Sequence, residues 1–85
     1  MLKVASWNVN SLKVRLDAVL DWFDKTKTDV LALQETKTTD ENFPEDVFLS
    51  RGYHIAYTGQ KTYNGVATIS RHPIGEVIEI GRAHV

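Results

Sequence analysis

Residues 29–37 read DVLALQETK, an apolar run of strand length that ends on a glutamate, a threonine and a lysine. A strand that merely leaves a core usually exits through Gly, Asn, Asp or Pro, the residues with turn chemistry. The run from Val30 to Gln34 is too short for a helix of its own and is bounded by polar residues, as expected of a strand buried on both faces. Upstream, Leu12, Leu16, Val19, Leu20 and Phe23 recur at helical spacing, with Asp17, Asp21, Asp24 and Lys25 on the other side. Ser11 or Asn10 is placed to cap that helix, and Lys25 with Lys27 suits its C-terminal end. Before it, LKVASW at 2–7 alternates and carries Val and Trp until Asn8 and Asn10 break the run, which reads as another strand. Strand, helix and strand in about 35 residues make a βαβ unit, whose right-handed crossover sets the two strands parallel.

Parallel strands place their C-terminal ends on one edge of the sheet, where open α/β sheets bind ligands. Asn8 ends the first strand and Glu35 the second, so neighbouring strands would bring an amide and a carboxylate together at that edge. A carboxylate there can hold a hard divalent cation such as Mg2+, with water and phosphate oxygens completing the shell. The amide can donate to a phosphate oxygen or orient the carboxylate. Taken singly, Asn8 is more often a turn former or helix cap, and Glu35 more often pairs with Lys37 or another surface cation.

Beyond Lys37, TKTTDEN is a polar loop, and PEDVFLSRG reads as a short helix with Pro44 at its start, acids in its first turn and Gly52 past its end. YHIAYT and GVATISR read as two strands joined by GQKTYN, and IGEVIEI as the start of another. Trp7 and Trp22 are expected in the core, His54 on a half-exposed strand and His72 in the turn before Pro73.

The chain has 85 residues, so it is one small domain or a piece of a larger one. A hydrophobic content of 42% argues against disorder. The net charge of -1 advertises neither a nucleic-acid nor a membrane partner, so any polyanion must be met locally. The absence of cysteine removes disulfide scaffolds and cysteine-based zinc sites. The first residues lack a signal-peptide apolar region and no stretch reaches membrane-span length, so the expectation is a cytoplasmic protein with no membrane partner.

KVASWNVNSLKVR, DVLALQETK and GVATISRHPIG, in this order and spacing, closely resemble the N-terminal part of exonuclease III-type apurinic/apyrimidinic endonucleases, within the endonuclease/exonuclease/phosphatase superfamily. LQE alone would fit the wider superfamily; LQETK with SWNVNSLK and GQKTYNGVA narrows it to that branch. The resemblance implies an α/β fold, the N-terminal portion of a four-layer DNase I-like sandwich, with the βαβ unit followed by a short helix and further strands. It implies Glu35 as the metal-binding glutamate and Asn8 as the active-site asparagine, the two forming the catalytic and metal set. Lys37 matches a lysine beside the active site, and Lys13, Arg15, Lys61, Tyr63 and Asn64 match segments that approach DNA. Asn10 stands where many relatives carry Asp, and Ser11 where many carry Gly, which leaves a second metal contact open.

The activity so implied is Mg2+-dependent phosphodiester hydrolysis in DNA repair, with Mn2+ as an alternative ion. Its substrate would be double-stranded DNA with abasic sites or 3′ ends, and the enzyme a monomer. The family's later catalytic residues fall beyond residue 85, so the chain alone is expected to be inactive. Two other readings are another phosphoesterase of the superfamily, acting on a lipid or inositol phosphate, and a non-catalytic remnant. Residues 80–85, IGRAHV, match one reading frame of a string that resembles a common sequencing-library adapter. The native domain is therefore expected to run over 1–79, with His84 playing no catalytic part.

Overall fold

A computed structural model of the chain describes residues 2–58 and 65–75. The βαβ unit is present: β1 (Val4–Asn8) leads into α1 (Leu12–Lys25) and returns as β2 (Val30–Gln34). The two strands pair in parallel, from Val4 opposite Val30 to Asn8 opposite Gln34. A 3-10 turn at Asp40–Asn42, the short helix α2 (Glu45–Leu49) and strands β3 (His54–Thr58) and β4 (Val66–Ser70) follow. Pro44 takes the position before α2, Glu45 and Asp46 its first turn, and Gly52 turns the chain beyond its end at φ +81°. β4 lies between β2 and β3 and runs antiparallel to both, giving the order β1-β2-β4-β3.

Both helices cover one face of this mixed sheet. Leu12, Val19, Leu20 and Phe23 of α1 and Phe48 of α2 share a buried core with Leu31 and Leu33 of β2 and Ala67 and Ile69 of β4. The residues alternating with these lie on the opposite face, where Val4 and Val66 are 67% and 49% exposed. On that face Val30 and Ser70 are buried at the start of β2, while Ala32 and Gln34 further along are only half-buried. β2 is thus buried on both faces at Val30, as its apolar run suggests, but on one face only towards Gln34. β1 lies at the edge of the described sheet, with Trp7 half-buried and Trp22 36% exposed. They meet edge to face with centroids 6.2 Å apart, on a shallow apolar groove rather than in the core. His54 is exposed on β3. Ile74 and Gly75, the described part of IGEVIEI, are helical and not extended. Lys61, Tyr63, Asn64 and residues 80–85 lie outside the described residues.

Arg71, just after β4, closes the C-terminal end of α1. Its Nε donates to the Thr28 carbonyl at 2.8 Å and its Nη2 to those of Thr26, at 2.8 Å, and Phe23. The guanidinium lies over the Phe23 ring at 4.5 Å and the Tyr53 ring at 5.3 Å. Tyr53 donates to Asp24, which also pairs with Arg51 at 2.7 Å, and burial pushes the Tyr53 hydroxyl above its usual range.

At the start of β2, Asp29 accepts the Lys3 N–H at 2.8 Å and faces His72 Nε2 at 2.9 Å. The Lys3 amide first, and then the His72 ring, hold its carboxyl below the ordinary carboxylate range. A depressed acid stabilises the fold above its unfolded value and loses that contribution as pH falls through the folded one. Thermal stability should therefore drop on acidification below about pH 4. Melting curves against pH should show a shallower acid drop for Asp29→Asn; an identical drop would refute the assignment.

Candidate functional site

The C-terminal ends of β1 and β2 carry an unusual backbone. Asn10, Ser11, Glu35 and Lys37 all have positive φ, at 45°, 93°, 53° and 53°, and none is glycine. Only asparagine and aspartate among ordinary residues visit this region with ease, and such residues cluster where surrounding structure over-determines them. Here the surrounding structure is a zipper between two loops. The Val9 N–H donates to the Gln34 carbonyl at 3.1 Å, Ser11 to Glu35 at 2.9 Å and Leu12 to Thr36 at 2.9 Å, while the Thr36 N–H reaches the Gly65 carbonyl at 2.9 Å. Thr36 is buried, and its hydroxyl has no partner among the described residues.

This zipper explains why α1 starts without the expected cap. Ser11 occupies the capping position, but at φ 93° and ψ 104° its hydroxyl makes no capping bond. That conformation costs on the order of 1–3 kcal/mol for a residue with a Cβ. Ser11→Gly is therefore expected to stabilise the protein by about 1 kcal/mol after glycine's own entropic cost. Calorimetry should record a rise in Tm; a fall would contradict the strain argument.

The side chains continue the zipper. Asn8 donates through Nδ2 to Glu35 Oε2, and its Oδ1 accepts the Asn10 N–H at 3.1 Å. Lys37 Nζ donates to Asn10 Oδ1. The amide and carboxylate expected at one sheet edge are in contact, with Asn8 donating to the carboxylate. Lys37 is drawn to Asn10, and Glu35 is engaged by Asn8. The other Glu35 oxygen has no protein partner among the described residues.

Beside this network lies a depression of about 430 Å³ lined by Ser11, Lys13, Leu16, Lys37, Thr38, Thr39, Asn42 and Pro44. Lys13 and Lys37 share it; Arg15, exposed on α1, does not line it. Thr38, Thr39 and Asn42 belong to a stretch that reads only as a polar loop, and its run of short hydrogen-bonding side chains was the available signal. Among the described residues no three His, Cys, Asp or Glu side chains gather as a metal cage. The carboxylate, amides and hydroxyls at this edge are oxygen donors of the kind that hard cations take. No helix among the described residues is long and apolar enough to cross a membrane.

Residues 5–82 match the model of the Endonuclease/Exonuclease/phosphatase family. Exodeoxyribonuclease III of Haemophilus influenzae is 37% identical over 70 residues, which cover 82% of this chain and 26% of that protein. Among solved structures, a 3′ phosphatase from Neisseria bound to a product DNA hairpin is 45% identical with a TM-score of 0.79, covering 84% of this chain and 28% of its own. An AP endonuclease from Archaeoglobus fulgidus is 46% identical with a TM-score of 0.78, covering 84% and 28%. The chain thus spans about a quarter of the length of the relatives it matches, 26% to 28%. The helix layer and sheet described above are the part of the DNase I-like α/β architecture that these similarities cover.

Proposed function

The chain belongs to the endonuclease/exonuclease/phosphatase family, and from that premise we propose that it supplies the Glu35-bearing part of an exonuclease III or AP endonuclease type DNA repair nuclease. The observation that carries this reading is Glu35 itself, held at the sheet edge by Asn8 through one carboxylate oxygen, the other having no partner among the described residues. Glu35 would hold the metal, with Mg2+ favoured by the donor set and Mn2+ as its usual substitute. A bound divalent ion would polarise the phosphoryl oxygen and offset charge on the leaving 3′-oxygen.

The chain's own residues then divide the remaining work. Asn8 fixes the direction of the Glu35 carboxylate, so that the ion's position is set before substrate arrives. Lys37 brings a positive charge to the same edge, where it attracts a phosphate. Lys13, across the depression, gives the flanking backbone a second cation. Arg15, Lys61, Tyr63 and Asn64 are proposed as outer DNA contacts. The substrate is double-stranded DNA carrying abasic sites or 3′ ends, and the enzyme is a cytoplasmic monomer.

The test uses the protein expressed from its full reading frame and an end-labelled duplex with one abasic site. Mg2+ should support incision on the 5′ side of that site and trimming from 3′ ends, and EDTA should stop both. Hydrolysis of inositol phosphates with no cut in DNA under Mg2+ or Mn2+ would overturn the proposal.

A further inference from the structure

Asn10 makes two hydrogen bonds within this network. Its backbone N–H, directed by a left-handed φ of 45°, reaches Asn8 Oδ1 at 3.1 Å. That bond decides which end of the Asn8 amide faces Glu35, because an amide whose oxygen is held by an N–H must turn its NH2 group the other way. Its side-chain Oδ1 accepts from Lys37 Nζ. A neutral amide oxygen holds an ammonium in place without adding a negative charge beside it. A carboxylate in the same place would make a charge-assisted bond and cancel much of the ammonium's field.

We propose that Asn10 is the positioning residue of this site: it orients the Asn8 amide toward Glu35, and it holds the Lys37 ammonium at the phosphate-binding edge at no cost in positive charge. Among the described residues of this hydrogen-bonded network, Glu35 brings one carboxylate and Lys37 one ammonium. The network therefore favours an anion and a divalent ion arriving together over a divalent ion alone. The inference rests on the nuclease reading above and assigns Asn10 no contact with reacting atoms.

The experiment compares wild type, Asn10→Asp, Asn10→Gly and Lys37→Met, each expressed from the full reading frame. The probes are a fluorescent duplex oligonucleotide in EDTA at several salt concentrations and Mn2+ alone, followed by its electron spin resonance signal. Asn10→Asp should weaken duplex binding about tenfold and flatten its salt dependence by about one counterion, because the new carboxylate claims the charge of Lys37. The same variant should tighten Mn2+ binding. Asn10→Gly keeps the left-handed backbone and its N–H but loses Oδ1, so duplex binding should weaken while Tm stays near wild type. Neither Asn10 substitution should weaken duplex binding further when made in the Lys37→Met protein.

Wild-type duplex and Mn2+ affinities in Asn10→Asp, or an undiminished effect in the Lys37→Met background, would overturn the positioning role. A wild-type protein that binds neither duplex nor Mn2+ would overturn the nuclease reading together with it. A wild-type protein that binds both, with variants unchanged, would overturn the role of Asn10 alone.

Discussion

Replacing Glu35 by glutamine in the protein expressed from its full reading frame is expected to lower kcat for abasic-site incision about a hundredfold or more. It should also raise the Mg2+ concentration needed for half-maximal rate. The reason lies in what glutamine keeps and what it loses. Its side-chain oxygen can still accept from Asn8 Nδ2, so the contact between the two strand ends survives. Its charge is gone, and a hard dication that retains most of its water depends on that charge. A half-buried glutamate with only a structural role would behave differently. Its loss would shift stability by roughly 0–1 kcal/mol and leave turnover intact. Rates measured against Mg2+ concentration, alongside the melting temperature, separate the two cases. A folded Glu35→Gln protein with wild-type kcat and unchanged Mg2+ dependence would falsify the metal-ligand assignment.

The largest effect on stability is expected far from that edge, at Arg71. Arg71→Met keeps the length and apolar stem of the side chain but removes three donations to the carbonyls of Phe23, Thr26 and Thr28. It also removes the cation from the faces of Phe23 and Tyr53. Hydrogen bonds from charged donors contribute about 1.5–3 kcal/mol each when their partner is left unsatisfied, and cation–π contacts about 0.5–1 kcal/mol. These terms are not additive, and water can reach part of the cluster, so the expected net loss is about 3 kcal/mol. Tm should fall with it. Arg71→Lys should fall in between, since a point charge cannot reproduce the fork. Chemical denaturation showing less than about 1 kcal/mol for Arg71→Met would contradict the clamp.

The βαβ unit was legible because its signals are local. Leu12, Leu16, Val19, Leu20 and Phe23 keep a helical period, and Val30 to Gln34 is too short and too apolar for anything but a strand. With the crossover rule, those two facts already bring Asn8 and Glu35 to one edge. The same local reading could not place β4 between β2 and β3, because strand order depends on pairing between distant residues. Arg71 escaped it for that reason too, since its carbonyl partners lie 43 to 48 residues away.

Backbone at the site was the least legible part. Of the four left-handed residues, only Asn10 belongs to a type that favours that region; Ser11, Glu35 and Lys37 are held there by hydrogen bonds between loops. An odd exit from β2 was visible in LQETK, but not that the backbone turns left-handed on both sides of Thr36. Trp7 and Trp22 depart from the expected core position because β1 lies at the edge of the described sheet, where Trp7 packs against the core from its margin and meets Trp22 of α1.

The proposed metal position at Glu35 can be tested directly, without catalysis. Mn2+ titrated into isotope-labelled protein expressed from its full reading frame broadens the amide signals nearest the bound ion. The predicted result is selective broadening of Asn8, Val9, Asn10, Glu35, Thr36 and Lys37 at the lowest Mn2+ concentrations, absent in Glu35→Gln. Broadening that begins instead around Asp29 and His72, or that spreads evenly over the surface and persists in Glu35→Gln, would contradict a metal site at Glu35.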